Sequence, residues 1–429
     1  MSPHSRVRLR GHFAPPGDKS IGHRLVLLGA IADGRTRIEG FPPGADCGRT
    51  VDLVRSLGVE AEQQDATLEI EGVGLDGLRA PEQDLDAGNS GSTARMACGY
   101  LAPQPFESRI IGDESLSQRP IDRVVKPLAA MGASIETSGG RLPLTIHGGR
   151  ELHGIDYELP IPSAQVKTAL LLAGLRATGT TRVRETFPSR DHTEIALCGF
   201  GAEPVIEDGV VSLRRVARLS AGHFRVPGDF SSAAFFLTAA AFLPDSDLVV
   251  ENVGLNPTRA ALLDVLLDMG ADIQVEPHET HDGEEPIGNI HVRGRELHGA
   301  VVRADKLPAM IDEVPILAVA AAFADGTTRV EGASELRVKE SDRLAAIVEG
   351  LGALGADVAT TPDGFVVKGG RQLSPATLRT YGDHRMVMAW AIASLGVDGD
   401  CTIDHLDQVK ISYPGFWETL DYLAGVDSQ

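Results

Sequence analysis

Met269-Gly270-Ala271-Asp272-Ile273 closes one apolar run and opens another. A glycine just past an apolar helix is a C-cap, because it adopts the left-handed backbone that ends the helix. The Asp-Ile pair after it starts a strand. The same phrase stands at Ser56-Leu57-Gly58-Val59, Met131-Gly132-Ala133-Ser134-Ile135, Phe200-Gly201-Ala202-Glu203 and Leu354-Gly355-Ala356-Asp357-Val358, with glycines 74, 69, 69 and 85 residues apart. A second phrase keeps the same rhythm, an Ala-rich helix followed by a turn and a strand opening. It is seen at Ala32-Asp33-Gly34-Arg35-Thr36-Arg37-Ile38, Gly179-Thr180-Thr181-Arg182-Val183, Gly326-Thr327-Thr328-Arg329-Val330 and Gly399-Asp400-Cys401-Thr402-Ile403, and more loosely at residues 107–110 and 245–250. The rhythm predicts six α/β units of roughly 70 residues, each with two helices and several short strands, three units to a domain.

The informative residues stand where each Ala-rich helix begins. The heads are Lys19-Ser20, Asn89-Ser90-Gly91-Ser92, Ser163-Ala164-Gln165, Asp229-Phe230-Ser231-Ser232, Asp312-Glu313 and Asp383-His384-Arg385, at steps of 70, 74, 66, 83 and 71 residues. Ser, Asn and Asp are ordinary N-caps, so capping accounts for each head singly. Capping does not account for Lys19, Arg24, Arg95, Lys167 and Arg385 in the first turns, where cations oppose the helix dipole. Cations there make sense if several heads meet anions, which free N–H groups at helix starts also favour. Further cationic clusters occur at Gln118-Arg119-Pro120-Ile121 and Ser189-Arg190-Asp191-His192-Thr193-Glu194. A third runs from Leu336 to Arg343, where Lys339 and Arg343 lie four apart, as if on one helix face.

Composition bounds the chemistry. The 429 residues carry a formal charge of −20, which argues against general binding of nucleic acid or anionic membrane. An anionic substrate therefore needs a local positive field. The cysteines Cys47, Cys98, Cys198 and Cys401 are scattered without metal spacing, which predicts a reducing compartment and no disulfide framework. Residues 1–10 lack the apolar core of a secretory signal, and the longest nearly apolar run, 233–243, is too short to span a membrane. Gly17-Asp18-Lys19-Ser20 lacks the Gly-Lys pair of a P-loop, and Gly72-Val73-Gly74-Leu75-Asp76-Gly77 opens no helix as a dinucleotide site would.

Taken in order, the heads and clusters resemble one family along essentially the whole chain, the EPSP synthase (3-phosphoshikimate 1-carboxyvinyltransferase) family of enolpyruvyl transferases. The carriers are Pro16-Gly17-Asp18-Lys19-Ser20 with Arg24, Gly88-Asn89-Ser90-Gly91, Gln118-Arg119-Pro120-Ile121, Ser163-Ala164-Gln165, Ser189 to Glu194, Asp312-Glu313, Leu336 to Arg343 and Gly382-Asp383-His384-Arg385. The resemblance implies an α/β fold of two domains, each of three βαβαββ repeats in an inverse α/β barrel, joined by a double-stranded hinge with the site in the cleft. Domain I would comprise 1-15 plus 228-429 and domain II 16-227. It implies transfer of the enolpyruvyl (carboxyvinyl) group of phosphoenolpyruvate to the 5-hydroxyl of shikimate 3-phosphate, a transferase step of the shikimate pathway and aromatic amino acid biosynthesis, open to inhibition by glyphosate.

By the same resemblance, Lys19, Ser20, Arg24, Ser163, Ala164, Gln165, Arg190, Asp312 and Lys339 hold shikimate 3-phosphate. Lys19, Gly91, Arg119, Gln165, Arg343 and Arg385 hold phosphoenolpyruvate. Asp312 is the base toward the hydroxyl, with Lys19 and Glu340 the candidates for the C3 proton. No metal, cofactor, nucleic acid or membrane partner is implied, and the expected protein is a cytoplasmic monomer. Two departures stand out: Ala164 replaces a frequent second serine, and Lys410 lies one residue from the position of a lysine found in some members. The alternatives are transfer to UDP-N-acetylglucosamine, whose enzymes typically carry a cysteine where Glu114 stands, and a non-catalytic anion-binding repeat scaffold.

Overall fold

The computed structural model describes residues 7–281 and 283–425 and divides into two compact units. Unit 1 comprises 1–16, 227–279 and 286–429; unit 2 comprises 17–226 and 280–285. The short return of 280–285 to unit 2 interrupts the continuous 228-429 segment that the repeat pattern implies.

The chain opens with β1 (Arg10–Phe13) in unit 1. Unit 2 then runs α1 (Lys19–Ala30), β2 (Asp33–Glu39), α2 (Ala45–Ser56), β3 (Glu60–Gln64), β4 (Thr67–Val73), β5 (Leu85–Asp86), α3 (Gly91–Leu101), β6 (Ser108–Ile111), α4 (Glu114–Gln118), α5 (Asp122–Ala130), β7 (Ser134–Ser138) and β8 (Arg141–His147). It continues through β9 (Asp156–Glu158), α6 (Ala164–Gly174), β10 (Thr180–Arg184), α7 (His192–Gly199), β11 (Val205–Glu207), β12 (Val210–Arg214) and β13 (His223–Arg225). Unit 1 resumes with α8 (Phe230–Phe242), β14 (Asp247–Gly254), α9 (Ala261–Asp268), β15 (Asp272–Pro277), β16 (Ile287–Arg293), β17 (Val301–Val302), α10 (Val314–Phe323), β18 (Thr327–Val330), α11 (Arg343–Ala353), β19 (Asp357–Thr360) and β20 (Phe365–Lys368). It ends with β21 (Thr377–Leu378), α12 (His384–Leu395), β22 (Thr402–Ile403), a 3-10 turn Leu406–Ile411 and α13 (Phe416–Ala424).

Five four-stranded sheets share one topology. In β5-β6-β8-β7 the first pair is parallel and the other two are antiparallel, and β9-β10-β12-β11 and β17-β18-β20-β19 repeat it. The leading sheet of each unit borrows its first strand. β1 pairs with β14 in unit 1, Arg10 opposite Asp247, while β13 pairs with β2 in unit 2, His223 opposite Arg37. The sixth repeat keeps only the parallel pair β21-β22, so the expected six full βαβαββ units become five and a reduced one. All five repeated glycines, Gly58, Gly132, Gly201, Gly270 and Gly355, have φ between 81° and 103°, the left-handed conformation of a helix C-cap.

Strands such as β8 bury alternate residues, Leu142, Leu144 and Ile146, so one sheet face meets the core. The helices that begin at the heads lie inside. In α8 and α10 almost every residue is buried, because Ala, Val, Phe and Leu surround the whole helix rather than one stripe. Each unit has its own core, one around α8, α10 and α12 and the other around α1, α3 and α6. Gly99 lets α3 and α6 approach closely, since a Cβ there would lie 1.8 Å from the Ala169 carbonyl oxygen.

Candidate functional site

The heads begin the buried helices, and this location brings their side chains together within each unit. In unit 2, Asp18 caps α1 by accepting from the Ile21 N–H at 3.0 Å, Ser90 caps α3 and Ser163 caps α6. Lys19, first residue of α1, bonds Asp46 at 2.9 Å. Arg24 is buried one turn further on. It donates to Thr193 Oγ1 at 2.7 Å, Thr168 Oγ1 at 2.9 Å and the Ser20 carbonyl at 2.7 Å. Burial lowers its pKa to about 10, since every bonded partner is a neutral oxygen. Arg190 reaches the Ser20 hydroxyl at 3.3 Å, so Ser20, Arg24 and Arg190 form one cluster.

A second group in unit 2 surrounds Gly91. Arg119 is in extended backbone before Pro120 and donates to Asn89 Oδ1 at 2.7 Å. Arg95 donates to Gln165 Oε1 at 2.9 Å, and Gln165 in turn donates to Ser92 Oγ at 2.9 Å, tying the α6 head to α3. Ser163 spends its hydroxyl on capping, and Ala164 contributes no polar side chain. Beneath these groups, buried Lys167 is held between Glu185 at 2.9 Å and Glu194 at 2.7 Å; burial would lower its pKa, but the two carboxylates raise it on balance. Glu185 also accepts from the Ser189 N–H at 3.1 Å, which braces the loop carrying Arg190.

In unit 1, Arg343 is clasped by carboxylates: Asp383 at 2.7 Å, Glu340 at 2.6 Å and Asp312 at 3.3 Å. Burial opposes its charge, yet these three raise its pKa, and Arg343 lowers that of Asp383 against the same burial. Asp312 gathers three cations, with Lys339 Nζ at 3.7 Å and Arg385 Nη2 at 4.0 Å besides Arg343. Partial burial lowers the Lys339 pKa, which Asp312 offsets in part. Lys339 and Arg343 do not share a helix face as their spacing suggested. Lys339 stands in extended backbone before α11, and Asp312 draws the two together. Arg385 donates to Ser231 Oγ, Ser231 donates to buried Glu313, and Arg259 donates to Glu313 at 2.7 Å.

Every candidate from the sequence thus falls into one of two groups, Lys19, Ser20, Arg24, Gly91, Arg119, Ser163, Ala164, Gln165 and Arg190 in unit 2, and Asp312, Lys339, Glu340, Arg343 and Arg385 in unit 1. Lys410 is exposed at the end of the 3-10 turn and makes no hydrogen bond or ion pair among the described residues. His192 and His384 open α7 and α12, and no group of metal-binding side chains occurs among the described residues. Asp46, Glu185 and Arg259 escaped the sequence reading. Asp46 looks like any acidic residue in a first helical turn, and nothing local marks the other two.

Fold and clusters define an α/β repeat protein of two units, each gathering cations at the starts of buried helices, one of them around carboxylates able to carry protons. The comparisons name the kind. The family model described as EPSP synthase (3-phosphoshikimate 1-carboxyvinyltransferase) matches residues 3–420. The chain is 49% identical over 417 residues to the 3-phosphoshikimate 1-carboxyvinyltransferase of Solibacter usitatus, covering 97% of both chains. It is 47% identical over 416 residues to that of Desulforamulus reducens, covering 96% of both. It also superposes on EPSP synthase from Acinetobacter baumannii with a TM-score of 0.88 and 42% identity, over 98% of this chain and 96% of that one. The chain belongs to the EPSP synthase family.

Proposed function

We infer that this protein transfers the enolpyruvyl group of phosphoenolpyruvate to the 5-hydroxyl of shikimate 3-phosphate and releases phosphate, a step in aromatic amino acid biosynthesis. The observation that carries this is the family match across residues 3–420, in which all the candidate residues lie. In the reaction the hydroxyl oxygen bonds C2 of phosphoenolpyruvate, C3 takes up a proton, and the hydroxyl proton goes to a base. Phosphate then leaves C2 as C3 returns a proton.

The residue roles are assigned by chemistry. Lys19, Ser20, Arg24, Ser163, Gln165 and Arg190 take the phosphate and hydroxyls of shikimate 3-phosphate, and the Arg24 cluster, bonded to neutral oxygens, suits a phosphate. Lys19, Gly91, Arg119, Gln165, Arg343 and Arg385 take phosphoenolpyruvate. Asp312 accepts the hydroxyl proton. Its contacts with Lys339, Arg343 and Arg385 stabilise the carboxylate it must be before the step. Glu340 or Lys19 handles the C3 proton. We assign the domains to 1-15 with 228-429 and to 16-227, and read the protein as a monomer acting in the cytoplasm. Among the described residues no helix is long and apolar enough to cross a membrane.

The test is phosphate release from phosphoenolpyruvate with shikimate 3-phosphate, with UDP-N-acetylglucosamine, and with no acceptor. Release with shikimate 3-phosphate alone is expected. Release with the nucleotide sugar alone would move the chain to the sister activity, and none with either would make it a binding scaffold.

A further inference from the structure

We propose that Ser231 is a positioning residue for Arg385, set by Glu313 and Arg259, and that it keeps the Arg385 fork open for an anion. The inference rests on the reading of Arg385 as a phosphoenolpyruvate ligand. A guanidinium only donates and a carboxylate only accepts, so the directions in this chain of contacts are determined. Arg385 Nη1 donates to the Ser231 oxygen, and the Ser231 proton goes to Glu313 Oε1. Arg259 donates to the other Glu313 oxygen at 2.7 Å and keeps that buried carboxylate paired. The Ser231 backbone is anchored independently, because its N–H donates to the α8 cap Asp229 at 3.0 Å.

The hydroxyl acts as a spacer. It leaves Arg385 Nη1 3.7 Å from Glu313 Oε1, beyond direct hydrogen bonding. Arginine and carboxylate in direct contact tend to pair through two parallel N–H bonds, which would occupy the fork. Here only Nη1 is engaged, by Ser231 and by the Asp312 carbonyl at 3.4 Å; Nε and Nη2 make no hydrogen bond with the described residues. Arg343 is the opposite case, with Nε, Nη1 and Nη2 all bonded to carboxylates. Of the two arginines assigned to phosphoenolpyruvate in this unit, Arg385 retains the bidentate edge. Without the Ser231 hydroxyl, Arg385 closes on Glu313 and that edge is lost.

The experiment compares Ser231→Ala and Ser231→Thr with wild type. Alanine fits the helix start and leaves the Asp229 cap in place. The expected result is a KM for phosphoenolpyruvate raised about tenfold or more in Ser231→Ala, a KM for shikimate 3-phosphate within about twofold, and recovery in Ser231→Thr. A purely structural role would lower Tm and active fraction without separating the two constants. NMR of the arginine Nε–H groups, with the Arg385 signal identified by its loss in Arg385→Lys, needs no activity. That signal should move in Ser231→Ala and return in Ser231→Thr. Wild type that releases no phosphate would defeat the functional reading, and the NMR would still decide the positioning. An Arg385 signal unmoved in folded Ser231→Ala, or two KM values rising alike, overturns the proposal.

Discussion

Arg24 in unit 2 and Arg343 in unit 1 are both buried arginines near a helix start, yet their surroundings are opposite. Arg24 is bonded to two threonine hydroxyls and a carbonyl, and burial brings its pKa down to about 10. Arg343 is bonded to three carboxylates, which overcome the same burial and raise its pKa. The difference separates two uses of a cation. A guanidinium among neutral oxygens keeps its charge for a ligand, whereas one already neutralised orders the acids around it. Unit 2 is thereby suited to hold a phosphate, and unit 1 to keep Asp312 and Glu340 oriented for proton transfer.

The largest effect should come from Asp312. If it is a base and not merely a counter-ion to Arg343, Asp312→Asn lowers kcat by about 10²–10⁴, while calorimetry finds both substrates still bound. Activity within a few fold of wild type would reduce Asp312 to a structural partner. Next comes a contrast in stability. Arg343→Met strands Asp383 and Glu340 and should cost roughly 3–5 kcal/mol in denaturant unfolding. Arg24→Met, which leaves Thr168 and Thr193 bonded to each other at 2.6 Å, should cost far less. Equal losses would erase the distinction between the two arginines. The price of Arg24→Met should instead be in binding. A lost hydrogen bond to a charged group is worth about 1.5–3 kcal/mol, so KM for shikimate 3-phosphate should rise roughly 10- to 150-fold.

Gly91→Ala tests the arginines around the α3 head. The new methyl would lie 2.8 Å from Arg95 Nη1 and 3.6 Å from Arg119 Nη1, so it displaces at least one of them. Glyphosate, longer than phosphoenolpyruvate, should lose more than the substrate does, up to about 10- to 200-fold for one methyl. The inhibition constant and the phosphoenolpyruvate KM rising by one factor would sink the steric account.

The smallest effect is a pH slope. His23, one residue before Arg24, is buried with Nδ1 2.7 Å from Thr50 Oγ1, and burial lowers its pKa from 6.5 to about 3. The unfolded chain takes up this proton below about pH 6.5 and the folded chain does not. Stability is therefore complete above that pH and falls by up to about 1.4 kcal/mol per pH unit down to about 3. His23→Gln should flatten the unfolding midpoint over that range. Unlike Arg24, His23 can shed its charge, so an unchanged slope in the variant would show that burial does not act on this helix as described.

Much of this was readable from local pattern. The repeated glycines declared helix ends, and their positive φ values agree. The heads declared helix starts, and Asp18, Ser90, Ser163, Asp229 and Asp383 all cap. Other features were not readable. Lys339 and Arg343 had helical spacing, but the chain is extended at Lys339 and the helix begins only at Arg343. The reduced sixth repeat announces itself with the same turn phrase as the others, because that phrase encodes a strand opening and not the hairpin that should follow.

The order of helices and strands, the family and the residues that face anions were set by motifs a few residues long, since capping, helix termination and strand opening are local events. The company each cation keeps was set by folding. Lys19 finds Asp46 27 residues away, Arg343 finds Asp383 40 residues away, and Arg24 finds Thr193 169 residues away. β1 and β13 are likewise assigned to sheets far along the chain. An N-cap aspartate does the same local work wherever it stands. Whether it also neutralises a guanidinium depends on which helix the sheets place beside it, and no short pattern carries that information.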